Sequence, residues 1–217
     1  VIFAYMAGGG TALPHWTAPA WVALAPFAGM GLALAWQGRV RAVLKGLGVL
    51  QAVVCLALLG LMGSAGWPLV PRSDAAVAPQ PNPFADLHGW DAAGARASAL
   101  ATQHGLSRVA VQNWTLASRL GWYARPLPVF VLEEGDSQFQ LWSGPLPAGE
   151  GALLVDWSHM AYDPPVGAHG FATCQLLESL PVQHIGMPLA RFRFYDCRGW
   201  AGATPQPRLT LAPISRN

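Results

Sequence analysis

The sequence predicts a membrane α-helical hairpin, the end of a multi-span bundle, followed by a small exported α/β domain. Two observations on charge predict this division. The first 71 residues contain only three charged residues, the basic Arg39, Arg41 and Lys45, which lie between two long apolar runs. All eleven acidic residues come later, from Asp74 onward. We therefore expect a membrane region at 1–71, a linker at 72–83 and an exported domain at 84–217.

Two membrane helices are predicted, at residues 18–36 and 44–63. The first run has no charged residue, and the second has only Lys45, near its start. Each run is long enough to cross a hydrocarbon core of ~30 Å at about 1.5 Å per residue. The alternative is a pair of buried helices in a large soluble core. Soluble helices of this length carry a polar face, which these runs lack, so the membrane interpretation is favoured.

The short connection at residues 37–43 determines the predicted orientation. It contains Arg39 and Arg41, and an excess of Lys and Arg in a short loop marks the cytoplasmic side. Both ends of the hairpin then lie on the outer face, so the residues after about 63 are exported.

The start of the chain resembles part of one more membrane helix. Residues 1–7 (VIFAYMA) are apolar, lack the basic segment of a secretory signal and are followed by three glycines. We expect them to be the end of a preceding helix, with residues 8–17 as an outer loop. On this interpretation the chain is the C-terminal piece of a longer multi-span protein.

The exported half alternates helical and strand patterns after a linker rich in Pro and Ala. Apolar periodicity predicts helices at 91–104 and 115–123 and strands at 108–112, 128–133 and 151–157. Helices that alternate with apolar strands predict a largely parallel sheet. The alternating segment 190–197 predicts a further strand near an edge, in antiparallel pairing. At ~145 residues this part can bury its own core.

Charge and cysteine content limit the function classes. The exported half contains eleven acidic and ten basic residues, and Lys45 is the only lysine in the chain, so nucleic-acid binding is disfavoured. Cys55 lies in the second membrane run and is expected to be a packing residue. Cys174 and Cys197 are both on the exported side, where they form either a disulfide or two buried free thiols.

Four stretches carry a family resemblance. Residues 13–20 (LPHWTAPA) lead into the first complete membrane helix, and 86–90 (DLHGW), 113–118 (NWTLAS) and 137–142 (SQFQLW) follow in the exported half. In this order they resemble segments of bacterial polyprenyl-phosphate-dependent glycosyltransferases of the GT-C architecture, the family 39 and aminoarabinose-transferase-like enzymes. Thr17 stands where the family usually has Pro, and Gln140 where it often has Asp, so no role is transferred to either position.

The resemblance implies a reaction, a location and partners. Such enzymes transfer a sugar from a polyprenyl-phosphate donor by inverting displacement, with a divalent metal in some members. The family's catalytic carboxylates lie in its first exported loop, and no residue here matches them. The catalytic residues are therefore expected outside this segment, which itself binds no cofactor or metal. The implied setting is the bacterial inner membrane, as a multi-pass protein with a periplasmic C-terminal domain. The implied partners are the bilayer, the polyprenyl-linked sugar and upstream membrane helices.

Five residues are predicted to bind substrate. His15 could donate a hydrogen bond to a phosphate oxygen and Trp16 could cover a sugar face; the alternative is an interfacial anchor at a helix entry. Ser137, Gln138 and Trp142 form a polar and aromatic segment between strands. This composition suits a sugar, because an amide bonds hydroxyls and an indole stacks on C–H faces, but such a segment can equally pack a domain against a membrane.

Two further motifs have mainly structural interpretations. Asp156, Ser158, His159 and Asp163 follow an apolar strand, where α/β folds place their sites. Because there is no G-x-S-x-G elbow and no His-x-x-x-His pair, a structural role is favoured over a hydrolase or metal site. Asn113-Trp114-Thr115 matches a glycosylation acceptor, but a helix cap is the stronger interpretation.

Three functions stay open on the sequence alone. The main hypothesis is the C-terminal part of an integral membrane glycosyltransferase that works outside the cytoplasm. The second is a membrane-anchored, non-catalytic α/β module that binds glycan or scaffolds a partner. The third is an exported hydrolase that uses Asp156 and His159.

Overall fold

The computed structural model describes residues 18–36, 40–66, 82, 84–132 and 138–202. The chain divides into two compact units, Val1–Leu59 and Gly60–Asn217. The predicted helix end at 1–7, the predicted outer loop at 8–17 and all of the predicted linker except Asn82 lie outside the described residues.

The first unit contains the apolar helix α1 (Ala18–Ala35) and most of the apolar helix α2 (Arg41–Gly63). Both helices lie near the predicted positions, but among the described helices only α2 reaches membrane length. α2 begins three residues earlier than predicted because Arg and Ala at its start are good helix formers. α2 is 23 residues long, none of its side chains is buried, and it is apolar enough to cross a membrane. The shorter α1 has 18 residues, with Pro26 inside it.

The second unit is a mixed five-stranded α/β domain. After a short 3-10 helix at Ala85–Leu87, its elements are α3 (Trp90–Gln103), β1 (Val109–Val111), α4 (Trp114–Tyr123), β2 (Val129–Val131), α5 (Gln138–Ser143), β3 (Ala152–Trp157), β4 (Phe171–His184) and β5 (Met187–Trp200). The strand order is β2-β1-β3-β5-β4. β1 pairs in parallel with β2 and β3, whereas β5 pairs antiparallel with β3 and β4.

The largely parallel sheet expected from the sequence is therefore present only in β2, β1 and β3. A long hairpin supplies the antiparallel part: β4 and β5 are joined at Ile185 and Gly186, whose φ angles are 51° and 72°. Positive φ at both central residues is the geometry of a tight hairpin turn. β4 was not predicted, because as the end strand of the described sheet it exposes much of both faces and lacks an alternating pattern. β5 lies inside the sheet, between β3 and β4.

The larger core lies between the sheet and helices α3 and α4. Leu153, Phe192 and Phe194 are fully buried there, with alanines of α3 and leucines of α4. Gly94 allows the two helices to approach closely, since a Cβ at this position would lie 2.5 Å from the carbonyl group of Tyr123.

A second cluster covers the other face of the sheet. It includes Phe130, Leu154, Tyr195 and Trp200. Because side chains cover both faces of the sheet, Tyr195 is buried on this face of β5, while Phe192 and Phe194 are buried on the opposite face. Cys174 and Cys197 are directly opposite each other on β4 and β5 and form a disulfide. An apolar helix of membrane length together with a disulfide indicates a membrane-anchored or exported domain.

Candidate functional site

A groove of about 530 Å³ lies between α4, α5 and the start of β2. We call it the aromatic groove. Its lining comprises Trp114, Ser118, Gly121, Trp122, Arg125, Leu127, Pro128, Val129, Gln138, Phe139, Trp142 and Ser143. The groove thus combines an apolar wall with a few amide, hydroxyl and guanidinium groups, which is the usual make-up of a ligand site.

Three indole rings of this groove are exposed. Trp114 is 54% exposed, Trp122 62% and Trp142 69%. Single exposed apolar residues are ordinary, but three tryptophans around one concave surface form a patch of the kind that marks a binding site.

The N-terminal cap of α4 and the spacing of its tryptophans determine where two of these rings lie. Asn113 caps the helix, since its Oδ1 accepts the N–H of Thr115 at 2.7 Å. The favoured cap interpretation of the Asn113 motif therefore has a structural basis. Trp114, Ser118 and Trp122 then recur every four residues and lie on one helix face, which borders the groove.

Arg125 provides the cationic group of the described groove lining. Its guanidinium carbon lies 4.4 Å from the centroid of the Trp122 ring, and its Nε donates to the carbonyl oxygen of Gly121 at 3.3 Å. The cation–π contact and the hydrogen bond hold the guanidinium beside the groove, where its remaining N–H groups can donate to a ligand oxygen.

Gln138 and Trp142, two of the predicted substrate-binding residues, both line the groove. They were predicted to lie in a polar and aromatic segment between strands; the structure places them one turn apart on the short helix α5, and Trp142 also packs edge-on against Phe139 with ring centroids 5.3 Å apart. The other predicted binding residues, His15, Trp16 and Ser137, lie outside the described residues. Trp114, Trp122 and Arg125 were not predicted, although the eight-residue spacing of the two tryptophans, about two helical turns, was an available signal.

The carboxyl ends of the parallel strands β1 and β3 form a polar cluster. Asp156 is only 2% exposed; its Oδ1 accepts the N–H of Tyr162 at 2.9 Å, and its Oδ2 accepts Nε and Nη2 of Arg193 at 2.9 and 2.6 Å. Burial raises the pKa of Asp156 above its ordinary value, against the opposing effects of these hydrogen bonds. These hydrogen bonds join the carboxylate to the loop after β3 and to the side chain of Arg193.

The residues that follow Asp156 also form hydrogen bonds within the domain. The Oγ of Ser158 accepts the N–H of Arg191 at 2.9 Å, and Nε2 of His159 lies 2.6 Å from the carbonyl oxygen of Leu189. The carbonyl oxygen of Asp163 accepts Nε2 of Gln112 at 3.0 Å. These contacts tie the loop after β3 to β5 and to the end of β1, so they support the structural interpretation of this cluster over the hydrolase interpretation.

A second cavity, of about 660 Å³, is lined by His88, Asp91, Tyr123 and residues 180–184. The rings of His88 and His184 stack with centroids 4.3 Å apart. Their Nε2 atoms lie 3.1 Å from the carbonyl oxygen of Met62 and 2.6 Å from that of Gly63, respectively. Both imidazoles thus lie against backbone carbonyls at the C-terminal end of α2.

Within the described ranges, no group of three or more His, Cys, Asp or Glu residues could hold a metal ion. No protein-family model, curated protein or solved structure matches the chain.

Proposed function

We propose that the chain is the C-terminal part of an integral membrane glycosyltransferase and that its exported domain binds carbohydrate in the aromatic groove. The observation that carries this proposal is the group of three exposed indoles, Trp114, Trp122 and Trp142, around one groove that also contains Gln138.

The chemistry of the groove suits a sugar. The electron-rich face of an indole attracts the C–H groups on one face of a pyranose ring, while amide and hydroxyl groups bond the ring hydroxyls. Gln138 and Ser143 supply such groups, and Arg125 adds N–H donors. The volume of about 530 Å³ lies within the range of ligand sites.

The transferase role rests on the sequence resemblance. In that reaction the bond from the anomeric carbon to the phosphate oxygen breaks, and a bond to the acceptor oxygen forms. Polyprenyl phosphate leaves, and the acceptor proton passes to a base outside this segment. The acceptor is a lipid, glycan or protein on the outer side of the bacterial inner membrane. In this scheme the groove binds the saccharide part of the acceptor or donor.

The second candidate is a membrane-anchored, non-catalytic glycan-binding module. The internal hydrogen-bond partners of Asp156 and His159 favour this module over a hydrolase that would use those two side chains. In this role the aromatic groove alone carries the function.

Binding is tested with the full chain in detergent micelles, titrated with a panel of neutral and acidic oligosaccharides while tryptophan fluorescence is followed. Trp142→Ala and Gln138→Ala should each weaken binding, the former by about tenfold or more, because an aromatic side chain that the bound ligand covers commonly supplies about 1–2 kcal/mol or more. Tyr123→Ala is the matched control: Tyr123 is exposed on the same helix as Trp122 but lines the other cavity. Equal affinity in all four proteins would refute the groove assignment.

Transfer is tested with a radiolabelled polyprenyl-phosphate hexose in membranes that contain the longer membrane protein of which this chain is proposed to be the C-terminal part, because the catalytic base lies outside this segment. Incorporation of label that Trp142→Ala lowers and Tyr123→Ala preserves would support the transferase. Saccharide binding without incorporation would instead support the module.

A further inference from the structure

Arg125 differs from five other arginines of the α/β domain in forming no ion pair with a described residue. Each of those five binds a carboxylate of the domain: Arg96, Arg108, Arg119, Arg193 and Arg198. Among the described residues, the guanidinium of Arg125 instead contacts the ring of Trp122 and the carbonyl oxygen of Gly121. The positive charge beside the aromatic groove therefore has no counter-charge in the described part of the domain.

The guanidinium of Arg125 is oriented although its side chain is exposed. The cation–π contact with Trp122 fixes one face of the planar group, and the hydrogen bond from Nε to Gly121 fixes one edge. The N–H groups of Nη1 and Nη2 then form the fork that binds a pair of carboxylate or phosphate oxygens. Because the side chain is already ordered, it loses little freedom when a ligand binds.

The rest of the described groove lining also suits a negatively charged ligand. It contains no Asp or Glu, so no described carboxylate of the groove would repel an anion. A ligand that covers the exposed indoles of Trp114, Trp122 and Trp142 also displaces water from them. Attraction between its charge and Arg125 is then screened less than it would be on an open surface.

We propose that the aromatic groove binds a saccharide that carries a negative charge, as a carboxylate or a phosphate group that Arg125 bonds. This inference rests on the proposed carbohydrate binding by the groove and names the class of its ligand. An indole packs on the sugar ring, while Nη1 and Nη2 of Arg125 donate charge-assisted hydrogen bonds to the oxygens of the anionic group.

The test uses three β-linked glucose trisaccharides that differ only at carbon 6 of each ring, which carries a hydroxyl, a phosphate or is oxidised to a carboxylate. The full chain in detergent micelles is titrated with each while tryptophan fluorescence is followed. Wild type should bind at least one charged form about tenfold or more tightly than the neutral form, as expected for hydrogen bonds to a charged group. Added salt should reduce this preference by screening. The tighter of the two charged forms identifies the anionic group.

Substitution of Arg125 tests whether it causes the preference. Arg125→Gln removes the charge but keeps an amide that can bond hydroxyls, so it should bind the neutral form much as wild type does and lose most of the preference. Arg125→Lys keeps the charge without the fork and should retain an intermediate preference. Arg191→Gln is the matched control: Arg191 is exposed and does not line the groove, so the same loss of charge there should leave the preference intact.

The possible failures of this inference and of the carbohydrate assignment are distinguishable. Equal affinity of wild type for all three trisaccharides would overturn the inference and leave the groove as a carbohydrate site. A preference that persists in Arg125→Gln, or that Arg191→Gln removes to the same extent, would also overturn it. Failure of every trisaccharide to bind wild type would refute the carbohydrate assignment, and this inference with it.

Discussion

Asp156 and Arg193 are directly opposite each other on β3 and β5 and are joined by two hydrogen bonds from the guanidinium to Oδ2. The carboxylate is 2% exposed, whereas the side chain of Arg193 is 32% exposed. The same carboxylate also accepts the N–H of Tyr162 and so holds the loop that follows β3. The pair therefore links the parallel part of the sheet to the antiparallel hairpin.

Asp156→Ala should lower the free energy of unfolding of the α/β domain by about 2–4 kcal/mol. It leaves the N–H of Tyr162 and the guanidinium of Arg193 without their acceptor, and removing one member of such a pair is strongly destabilising. Urea unfolding followed by tryptophan fluorescence measures the effect. Arg193→Ala and the double variant complete a mutant cycle, and a coupling below about 0.5 kcal/mol would contradict a tight interaction.

Asp156 should also make stability fall as the pH rises from acid. Burial raises its pKa above the ordinary value of 3.8, so the folded state binds this proton more tightly than the unfolded state does. The stabilisation is complete below about pH 3.8 and is lost as the pH rises through the folded pKa. Asp156→Asn retains an acceptor for Tyr162 but cannot titrate. The unfolding free energy of wild type should therefore decline relative to that of Asp156→Asn as the pH rises above about 3.8.

Glu178 should act in the opposite direction. Its hydrogen bonds to Arg96 lower its pKa below the ordinary value of 4.5. The resulting stabilisation is present above about pH 4.5 and is lost as the pH falls through the folded pKa. Glu178→Gln should show less loss of stability on acidification than wild type does. Parallel pH profiles of the two proteins would contradict this assignment.

The disulfide should stabilise the domain by about 3 kcal/mol on the chain-entropy estimate, since it closes a loop with a sequence separation of 23 residues. Replacement of both Cys174 and Cys197 by Ala should lower the urea midpoint accordingly. Wild type treated with dithiothreitol should approach the variant. Full alkylation of both cysteines in unreduced protein under denaturing conditions would show that the bond is not formed.

Gly94→Ala should destabilise the packing of α3 on α4 by about 1–3 kcal/mol. The added methyl group would lie 2.5 Å from the carbonyl group of Tyr123, so a helix has to shift. Gly121→Ala is the matched control, because its methyl group would meet only Phe139 at 3.7 Å. That change should be neutral or stabilise by up to about 1 kcal/mol through helix propensity. Equal effects of the two substitutions would contradict the close approach at Gly94.

Much of the fold could be predicted because it depends on local patterns. The α3 and α4 helices and strands β1, β2 and β3 lie within one or two residues of their predicted bounds, because apolar periodicity reports which side chains face a core. β4 could not be predicted in this way. Its pairing with β5 comes from the turn at Ile185 and Gly186 and from backbone hydrogen bonds, which exposed side chains do not reveal.

The aromatic groove was predictable only in part. Gln138 and Trp142 could be predicted because amide and indole groups occur together in one segment. Trp114, Trp122 and Arg125 come from a segment 13 or more residues away, and α4 contacts the groove only after it has packed on the sheet. Neither segment forms a binding surface by itself.

The sequence by itself determined the division of this protein into an apolar, basic N-terminal region and an α/β domain. It did so because charge distribution and apolar periodicity are local properties of the chain. Only the tertiary structure decided that the sheet is mixed, that Asp156 bonds Arg193, and that tryptophans from two separate helices border one groove. These features depend on residues distant in the chain being brought into contact, which requires the packing free energy of the whole domain.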